Sequence, residues 1–324
     1  MKRLDYYWSS LNFISMVLLP LAWLFCFVSK LRVILYHLKL LKSFKAPVPV
    51  IVVGNITVGG TGKTPLIIEL VKQLKALGKK PGVISRGYGG ASSTWPQVVD
   101  EHADAVQVGD EPKLIHKRAA CPVVVGPNRQ QDIELLLKTY NCDVILSDDG
   151  LQHYALQRDL EIVVVDVQRK FGNGLCLPSG PLREGVSRLQ QVDMVVLNGG
   201  DDNQISFKLQ PQFCLAINRL NVDNKLLADY ENKTVHAIAG IGNPSRFFNM
   251  LHRFGIDVIA HEFSDHASYT RSDVVFNDDL PVLMTEKDAV KCETFDLPDH
   301  WSVPVDVEFS ELAKIKLQQL LKLI

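Results

Sequence analysis

The sequence predicts an α/β protein built on a parallel sheet that is covered by helices on both faces. From residue 47 onward, short β-branched runs alternate with helix-length amphipathic segments, a glycine-rich turn follows the first run, and a pair of aspartates ends a later one. Near-continuous apolar strands that alternate with helices are typical of parallel sheets buried on both faces. Such sheets bind ligands at the carboxyl ends of their strands, so the residues after each run are the first candidates for a site.

The predicted elements form two units, which is about what 324 residues allow at roughly 150 residues per domain. Strands of the larger unit are expected at 49–53, 81–85, 122–125, 143–147, 161–167 and 193–197. The smaller unit is expected to have strands at 234–239, 257–261 and 281–285 and a helix at 244–254. The expected divisions are a membrane-associated segment (1–45), the larger unit (46–205), a linker (206–231) that pairs with 301–309, the smaller α/β unit (232–300) and a C-terminal helix (310–324).

Charge is unevenly distributed along the chain. The formal net charge is only −1, but residues 1–45 carry seven basic residues and one acidic residue, which leaves +6 there and −7 on the remainder. An acidic body disfavours a nucleic-acid partner. A hydrophobic content of 47% excludes a disordered chain.

A long apolar run lies within the basic segment. Residues 11–28 include only two polar side chains, Asn12 and Ser15, and residues 30–45 add five basic residues and no acidic one. The run is just long enough to cross a bilayer or to lie in one leaflet, and the basic residues that follow it predict a cytoplasmic body. A membrane anchor is favoured over a buried core helix and over a signal peptide, whose cleavage site is missing. Pro20 is expected to kink or break the apolar helix, which leaves open whether the helix spans the membrane.

The cysteines are widely spaced, and none forms a CxxC pair or has histidine neighbours at metal-ligand spacing. This pattern is typical of small core residues in a reducing compartment. The six positions are Cys26, Cys121, Cys142, Cys176, Cys214 and Cys292.

The turn after the first strand, NITVGGTGKTP, has the features of a phosphate-binding loop. Backbone N–H groups of a glycine-rich turn that opens a helix point at phosphate oxygens, Lys63 can reach the β- and γ-phosphates, and the Thr64 hydroxyl can bind Mg²⁺. A purely structural glycine turn is the alternative, and the strand before and helix after disfavour it. The residues expected to hold the nucleotide are Thr57 (at a position usually occupied by glycine), Gly59, Gly60, Thr61, Gly62, Lys63 and Thr64.

Four further polar clusters follow strands or open helices. Asp148 and Asp149 end the run CDVILSDDG, where a phosphate-loop enzyme needs a carboxylate for Mg²⁺; the alternative is a capped turn. The other three are SRGYGG (85–90), VGDEP (108–112) and FSDH (263–266), whose alternatives are a surface turn, a helix N-cap and an ordinary loop histidine.

Taken together, these segments resemble the tetraacyldisaccharide 4′-kinase family, the lipid A 4′-kinases of Gram-negative bacteria. The resemblance also rests on GPNR, LPSGPLRE, AGIGNPSRFF and MTEKDAVK, so that it runs in order from the apolar segment to about residue 291. It implies transfer of the γ-phosphate of ATP to the 4′-hydroxyl of a tetraacylated glucosamine disaccharide 1-phosphate at the cytoplasmic face of the inner membrane. It also implies two α/β/α units joined by a two-stranded linker.

The same resemblance implies roles for individual residues. Asp110 would be the general base, working with His266, and Lys63 and Asp149 would complete the catalytic set. Residues expected near the metal are Thr64, Asp148 and Glu184, and those expected to line the acceptor and phosphate region are Arg86, Tyr88, Glu111, Arg129, Gln152 and His153. Many relatives have a second histidine where this chain has Ala267, so a role for that position is not carried over.

Two rival functions compete with the kinase. A membrane-tethered P-loop NTPase that acts as a switch or metallochaperone explains the phosphate loop. It does not explain a general base and its histidine partner that belong to two different units. A soluble small-molecule kinase leaves the apolar run unexplained. The expected cofactors are ATP and Mg²⁺, the expected partners are the lipid substrate and the membrane, and no obligate protein partner is expected.

Overall fold

The computed structural model describes residues 4–211, 213–217, 224–295, 297 and 299–324. The strands are β1 (Val50–Gly54), β2 (Pro81–Ser85), β3 (Gln97–Val99), β4 (Val123–Val125), β5 (Val144–Asp148), β6 (Leu160–Asp166), β7 (Met194–Asn198), β8 (Ser206–Pro211), β9 (Phe213–Ala216), β10 (Lys225–Leu226), β11 (Thr234–Ala239), β12 (Asp257–Glu262), β13 (Val282–Thr285), β14 (His300–Val303) and β15 (Val305–Phe309). The helices are α1 (Phe13–Val17), α2 (Leu19–His37), α3 (Lys63–Ala76), α4 (Ala105–Val108), α5 (Asp110–Ala119), α6 (Arg129–Thr139), α7 (Pro244–Arg253), α8 (Arg271–Val274), α9 (Glu286–Ala289) and α10 (Glu311–Leu321).

The larger sheet has the strand order β15-β8-β7-β6-β1-β5-β2-β4-β3 within the described residues. The strands from β8 to β4 pair in parallel, whereas β15 and β3 pair antiparallel at the two edges. The prediction of a parallel sheet is therefore right for the centre and wrong for the edges. Parallel neighbours need a crossover connection, and an antiparallel edge strand does not.

The central strand β1 explains why this sheet is buried on both faces. Ile51 and Val53 pack with α3 into one apolar core, while Val50 and Val52 pack into a second core on the opposite face. Successive strand residues point to opposite faces, so a continuous run of apolar residues is what a doubly covered strand requires.

The smaller sheet has the order β10-β9-β14-β13-β11-β12, in which β12, β11, β13 and β14 are parallel. Its core includes Phe247 and Leu251 of α7. The chain passes between the sheets twice, from β8 to β9 and back from β14 to β15, and each strand of one pass pairs antiparallel with a strand of the other. The two sheets are therefore joined by adjacent, hydrogen-bonded stretches of chain.

The N-terminal apolar run does not form one helix over residues 11–28. Helix α1 ends at Val17, and α2 begins at Leu19 with Pro20 in its first turn, where the missing N–H has no helical partner to lose. Helix α2 continues to His37, so the basic stretch that follows the run does not form a separate interfacial helix. By length and composition, α2 is the one helix in the described part of the chain that could span a membrane, with a mean hydropathy of 1.6.

Helix α2 nevertheless lies against the body of the protein. Cys26 is joined to Cys176 by a disulfide, and the Tyr36 ring stacks on Tyr154 with centroids 6.3 Å apart. The prediction that all six cysteines are unpaired core residues is wrong for this pair, because the fold brings Cys176 back to the helix over a sequence separation of 150; the other four are free and buried. The opposite side of α2 is exposed and apolar, with Trp23, Leu24 and Phe27 each more than half accessible.

Candidate active site

The phosphate loop joins the carboxyl end of β1 to the first residue of α3. Gly62 caps α3 with a φ of +94°, and a Cβ there would lie 2.4 Å from Asn198 Nδ2, so the position requires glycine. Asn198, at the end of β7, donates from Nδ2 to the Thr61 carbonyl over 2.9 Å. The buried Thr61 hydroxyl has no hydrogen-bond partner among the described residues. Asn198 thus holds the backbone of the loop, and the Thr61 hydroxyl is available to a ligand.

Loop residues outside the α3 cap contact other segments. Thr57 forms an isolated backbone bridge with Leu182, and Gly60 packs against the backbone of Gly242, which belongs to the turn after β11. The Arg169 guanidinium lies against Gly59 and donates to the Gly242 carbonyl over 3.3 Å. A glycine turn of the smaller sheet's unit therefore lies directly on the phosphate loop.

Asp148 is the last residue of β5. Since β5 lies between β1 and β2 in the larger sheet, Asp148 lies next to both the phosphate loop, which follows β1, and Ser85, which ends β2. Its Oδ2 accepts a hydrogen bond from Ser85 Oγ over 2.9 Å, and its Oδ1 is buried with no donor among the described residues. Burial, together with the charges of Glu111 and Asp149, raises the pKa of Asp148 to about 7. A buried oxygen without a donor is what a cation-binding carboxylate presents.

Asp149 lies in the left-handed region, with a φ of +48°, and faces two cations. Arg183 Nη1 donates to its Oδ2 over 2.8 Å, and Lys63 Nζ lies 3.4 Å from its Oδ1. Burial favours the protonated acid, but the charges of Lys63 and Arg183 outweigh it and lower the pKa of Asp149 to about 2. The loop lysine is thereby held next to an ionised carboxylate.

Asp110 and His266 meet although 156 residues separate them. His266 Nδ1 lies 3.1 Å from Asp110 Oδ2 and 3.2 Å from Oδ1, and Asp110 is 4% exposed. Burial alone would raise the pKa of Asp110, but the hydrogen bond from His266 and the charges of Lys287 and Lys291 lower it. The pKa of His266 is raised, since its hydrogen bond to Asp110 outweighs burial. Asp110 is thus an ionised carboxylate paired with a histidine of the other unit.

The glycine turn after β2 covers this pair. The Tyr88 ring lies edge-on to His266 with centroids 5.0 Å apart, and both Tyr88 and Arg86 are exposed. Gln152 donates from Nε2 to the Asn55 carbonyl over 3.2 Å, which places it beside the phosphate loop. Burial and the charges of Arg129 and Arg86 lower the pKa of His153 to about 4, so this side chain is neutral.

The side chains of two predicted site residues, Arg129 and Glu184, make hydrogen bonds to other parts of the protein. Arg129 is buried at the start of α6 and donates from Nη2 to the backbone carbonyl of Asp148 over 2.8 Å, which supports the strand end from behind. Glu184 accepts from Gln152 and Tyr154 and lies 3.7 Å from Arg188 Nε. Its oxygens are engaged by these partners, so the structure does not present Glu184 as a free metal ligand.

Several residues at the site were missed by the sequence reasoning. Arg183 precedes the selected Glu184 in PLRE, and Lys287 and Lys291 lie in MTEKDAVK, a motif used for the resemblance without a role for either lysine. In each motif the signal was an unexplained basic residue. Lys287 Nζ lies 2.9 Å from Glu111 Oε1 and 3.1 Å from Asp265 Oδ1, and Lys291 Nζ lies 3.8 Å from Asp110 Oδ2.

The site combines a phosphate-binding loop, a strand-end carboxylate, paired cations and a carboxylate–histidine pair. No group of three or more His, Cys, Asp or Glu side chains that could hold a metal ion occurs in the described part of the chain. A phosphate-loop enzyme needs fewer protein ligands, because nucleotide oxygens complete the coordination of its metal. The fold and the site therefore define a P-loop phosphotransferase.

Comparisons with known proteins give the particular family. The profile described as tetraacyldisaccharide-1-P 4′-kinase (LpxK) matches residues 14–322. The tetraacyldisaccharide 4′-kinases of Actinobacillus pleuropneumoniae serotype 5b (strain L20) and Haemophilus influenzae (strain 86-028NP) are 48% and 50% identical to this chain. The first match covers 97% of this chain and 98% of the relative, and the second covers 95% and 93%.

A solved structure agrees with these relatives. LpxK from Aquifex aeolicus, determined in complex with ATP, has a TM-score of 0.78 and 29% identity over 95% of this chain and 99% of its own. The chain belongs to the tetraacyldisaccharide 4′-kinase family and is an ATP-dependent kinase. The predicted family, fold class and kinase activity are confirmed, and the rival NTPase switch is not favoured.

Proposed function

We propose that this chain transfers the γ-phosphate of ATP to the 4′-hydroxyl of a tetraacylated glucosamine disaccharide 1-phosphate in lipid A biosynthesis, with Asp110 as general base. The observation that carries the assignment of the base is the 3.1 Å contact between Asp110 Oδ2 and His266 Nδ1. This pair joins the unit of the larger sheet to the unit of the smaller one at the phosphate-loop edge. An NTPase that uses water has no evident need for such a pair.

The phosphate loop and its neighbours supply charge neutralisation. Phosphoryl transfer depends mainly on positioning and on cations placed where negative charge develops. Lys63 and the loop N–H groups would hold the phosphate oxygens. Arg183 contacts the same Asp149 carboxylate as Lys63, so it would add positive charge next to these oxygens.

Mg²⁺ fits this site on one specific observation, the buried Asp148 Oδ1 that has no donor among the described residues. Asp148 and the half-buried hydroxyl-bearing Thr64 would hold the ion, and Glu184 is not proposed as a ligand because protein partners engage both of its oxygens. When bound, Mg²⁺ supplies positive charge to the nucleotide's phosphate oxygens.

Asp110 would take the proton of the attacking hydroxyl. As the new O–P bond forms, the bond from the γ-phosphorus to the β,γ-bridging oxygen breaks, ADP leaves and the proton passes to the Asp110 carboxylate. His266 donates its Nδ1–H to that carboxylate, which fixes its orientation. Arg86, Tyr88, Glu111, Gln152 and His153 are proposed to line the acceptor side.

The N-terminal segment would bring the site to a lipid substrate. Helix α2 is attached to the body at both Cys26 and Tyr36, which supports a helix that lies in one leaflet instead of one that crosses the bilayer. The exposed apolar face of α1 and α2 would enter one leaflet, with the basic residues of 30–45 at the headgroups. We place the enzyme at the cytoplasmic face of the inner membrane, because Lys and Arg follow the apolar run.

We further propose that the chain divides as the sequence predicts: a membrane-associated segment, a kinase unit, a paired linker, a smaller unit and a C-terminal helix. The two passes of chain between the sheets support this division. Relative motion of the units about the paired strands would open and close the contact between Asp110 and His266. No protein partner is included in this scheme.

The proposal is tested by incubating the purified full-length protein with γ-labelled ATP and a tetraacyldisaccharide 1-phosphate in mixed micelles. We expect the label in the lipid phase, as a 4′-phosphate. Omission of the lipid should abolish turnover, because water is not the intended acceptor. Label that appears only as free phosphate, with or without lipid, would support the NTPase switch and overturn the proposal.

A further inference from the structure

Lys287 is a buried cation that contacts both units next to the Asp110–His266 pair. It lies in α9, immediately after β13, and its side chain is only 14% exposed. Its Nζ lies 2.9 Å from Glu111 Oε1 of the larger unit and 3.1 Å from Asp265 Oδ1 of the smaller one. The same Nζ lies 3.5 Å from His266 Nε2. One ammonium group thus faces two carboxylates and the Nε2 atom of His266.

These contacts restrict the protonation state of His266. An ammonium group has only donors, so the nitrogen that it faces, Nε2, is stabilised as a lone-pair acceptor. An ionised carboxylate has only acceptors, so Nδ1 must carry the proton that points to Asp110. The imidazolium form would place an Nε2–H against the Lys287 ammonium, with like charges opposed in a buried site. Lys287 therefore opposes the imidazolium form, which Asp110 and the Asp265 carboxylate, 3.8 Å from Nε2, favour.

The same geometry identifies which group of the pair is open to the acceptor. Lys287 occupies the Nε2 side of His266, and Asp110 occupies the Nδ1 side. Neither ring nitrogen is therefore left for the substrate's hydroxyl. The carboxylate of Asp110 is the group that can accept a proton.

We propose that Lys287 is a positioning residue for phosphoryl transfer: it ties Glu111 to Asp265 across the two units, opposes protonation of His266 at Nε2 and favours the Nδ1–H that donates to Asp110. This inference rests on the proposed role of Asp110 as general base. It assigns the MTEKDAVK motif to the control of a proton, not to the binding of a phosphate.

The proposal predicts a change in the pH dependence of catalysis. The charged and titratable groups that face the pair are Asp110 and Glu111 of α5, Asp265 beside the histidine, Lys287 of α9, Lys291 just after that helix, and the Tyr88 phenol of the glycine turn. Lys287 lowers the pKa of both His266 and Asp110. Removal of its charge favours the protonated pair, so the base is lost at a higher pH.

The test compares the kcat–pH profiles of Lys287→Met, Lys287→Arg and Lys117→Met in the full-length protein. Lys117 pairs with Glu293 over 2.7 Å between the same two units, is 59% exposed and contacts neither member of the base pair. We expect Lys287→Met to move the acidic limb upward by about one pH unit and to lower kcat roughly 100-fold. Lys287→Arg should keep the position of the limb, and Lys117→Met should match the wild type in both respects.

Nitrogen chemical shifts of ¹⁵N-histidine-labelled wild-type protein provide a second measurement that needs no variant to fold. We expect His266 to show a protonated Nδ1 and an unprotonated Nε2 at pH 9. An Nε2–H tautomer at that pH, or a Lys287→Met profile that falls uniformly without a shift of the acidic limb, would overturn the role of Lys287. Wild-type activity in Asp110→Asn would instead overturn the proposed base itself, so the two failures are distinguishable.

Discussion

Arg183 Nη1 donates a hydrogen bond to Asp149 Oδ2 over 2.8 Å, on the same carboxylate that Lys63 approaches to 3.4 Å. Two cations therefore share one ionised acid at the phosphate loop. A cation aimed at a transferring phosphoryl group is worth about 10²–10³ in kcat.

We expect Arg183→Gln to lower kcat at least about 100-fold with a smaller effect on the KM for ATP, because transition-state charge would lose a partner. Steady-state kinetics with saturating lipid measure this. Arg253→Gln, an exposed arginine at the end of α7, is the matched control. Wild-type kcat in Arg183→Gln would show that the arginine only stabilises the fold.

The contact between Asp110 and His266 predicts that the losses of kcat in their variants are not additive. Asp110→Asn and His266→Ala should each reduce kcat by about 10²–10³, and the double variant should be little worse than Asp110→Asn, since His266 acts through that carboxylate. The measurement is a double-mutant cycle on kcat with intact ATP binding as the control. Fully additive losses would contradict a shared function.

His153 predicts an acid sensitivity of folding. Its pKa is lowered to about 4 by burial and by Arg129 and Arg86, while an unfolded chain titrates near 6.5. Between these values the unfolded state binds the additional proton, so stability falls as the pH is lowered from 6.5 toward 4. His153→Gln should reduce that fall by on the order of 2 kcal/mol, measured by urea unfolding at several pH values. His102→Gln, at an exposed histidine, should leave it unchanged.

The exposed face of α2 predicts a defect that is specific to the lipid. Replacing Trp23, Leu24 and Phe27 with serine should raise the KM for lipid in micelles at least about tenfold and leave the KM for ATP near its original value, because each buried CH₂ contributes about 0.8 kcal/mol. Serine at Leu312 and Ile315, two exposed apolar residues of α10, is the control. Equal changes in both KM values would indicate a general loss of structure.

The bond between Cys26 and Cys176 predicts a redox-dependent stability. Oxidised protein should be about 2–4 kcal/mol more stable than reduced protein, since the cross-link constrains the unfolded chain. Chemical unfolding with and without reductant measures the difference, which Cys26→Ser should abolish. Cys121→Ser removes a free buried thiol and should preserve the difference. An equal stability of both forms in the wild type would contradict the cross-link's contribution.

Local patterns predicted the strands well. Pro81–Ser85 and Thr234–Ala239 have the expected bounds, because a β-branched run between turn residues leaves little freedom of assignment. The break that Pro20 predicted in the apolar run is present, and it lies at Leu18 because proline is accommodated in the first turn of the helix that follows.

The site was predictable where one motif supplied a complete chemical feature. The Asp148–Asp149 doublet and the loop around Lys63 each have a meaning within ten residues of sequence. Arg183 and Lys287 have none, because their partners Asp149 and Glu111 are supplied by other segments. Likewise, nothing in GPNR indicates that the Arg129 guanidinium donates to the buried backbone carbonyl of Asp148.

The attachment of the N-terminal segment gives the enzyme a fixed working height. Trp8 donates from Nε1 to the Pro178 carbonyl over 3.0 Å, and Tyr36 stacks on Tyr154, which is two residues from Gln152. The element that would enter the lipid is therefore fastened to the walls of the catalytic cleft instead of being tethered by a flexible linker. We therefore expect such an enzyme to select its acceptor partly by the distance of the hydroxyl from the bilayer surface. A hydroxyl that projects to the level of Asp110 would react, and one that lies much deeper or much farther out would not.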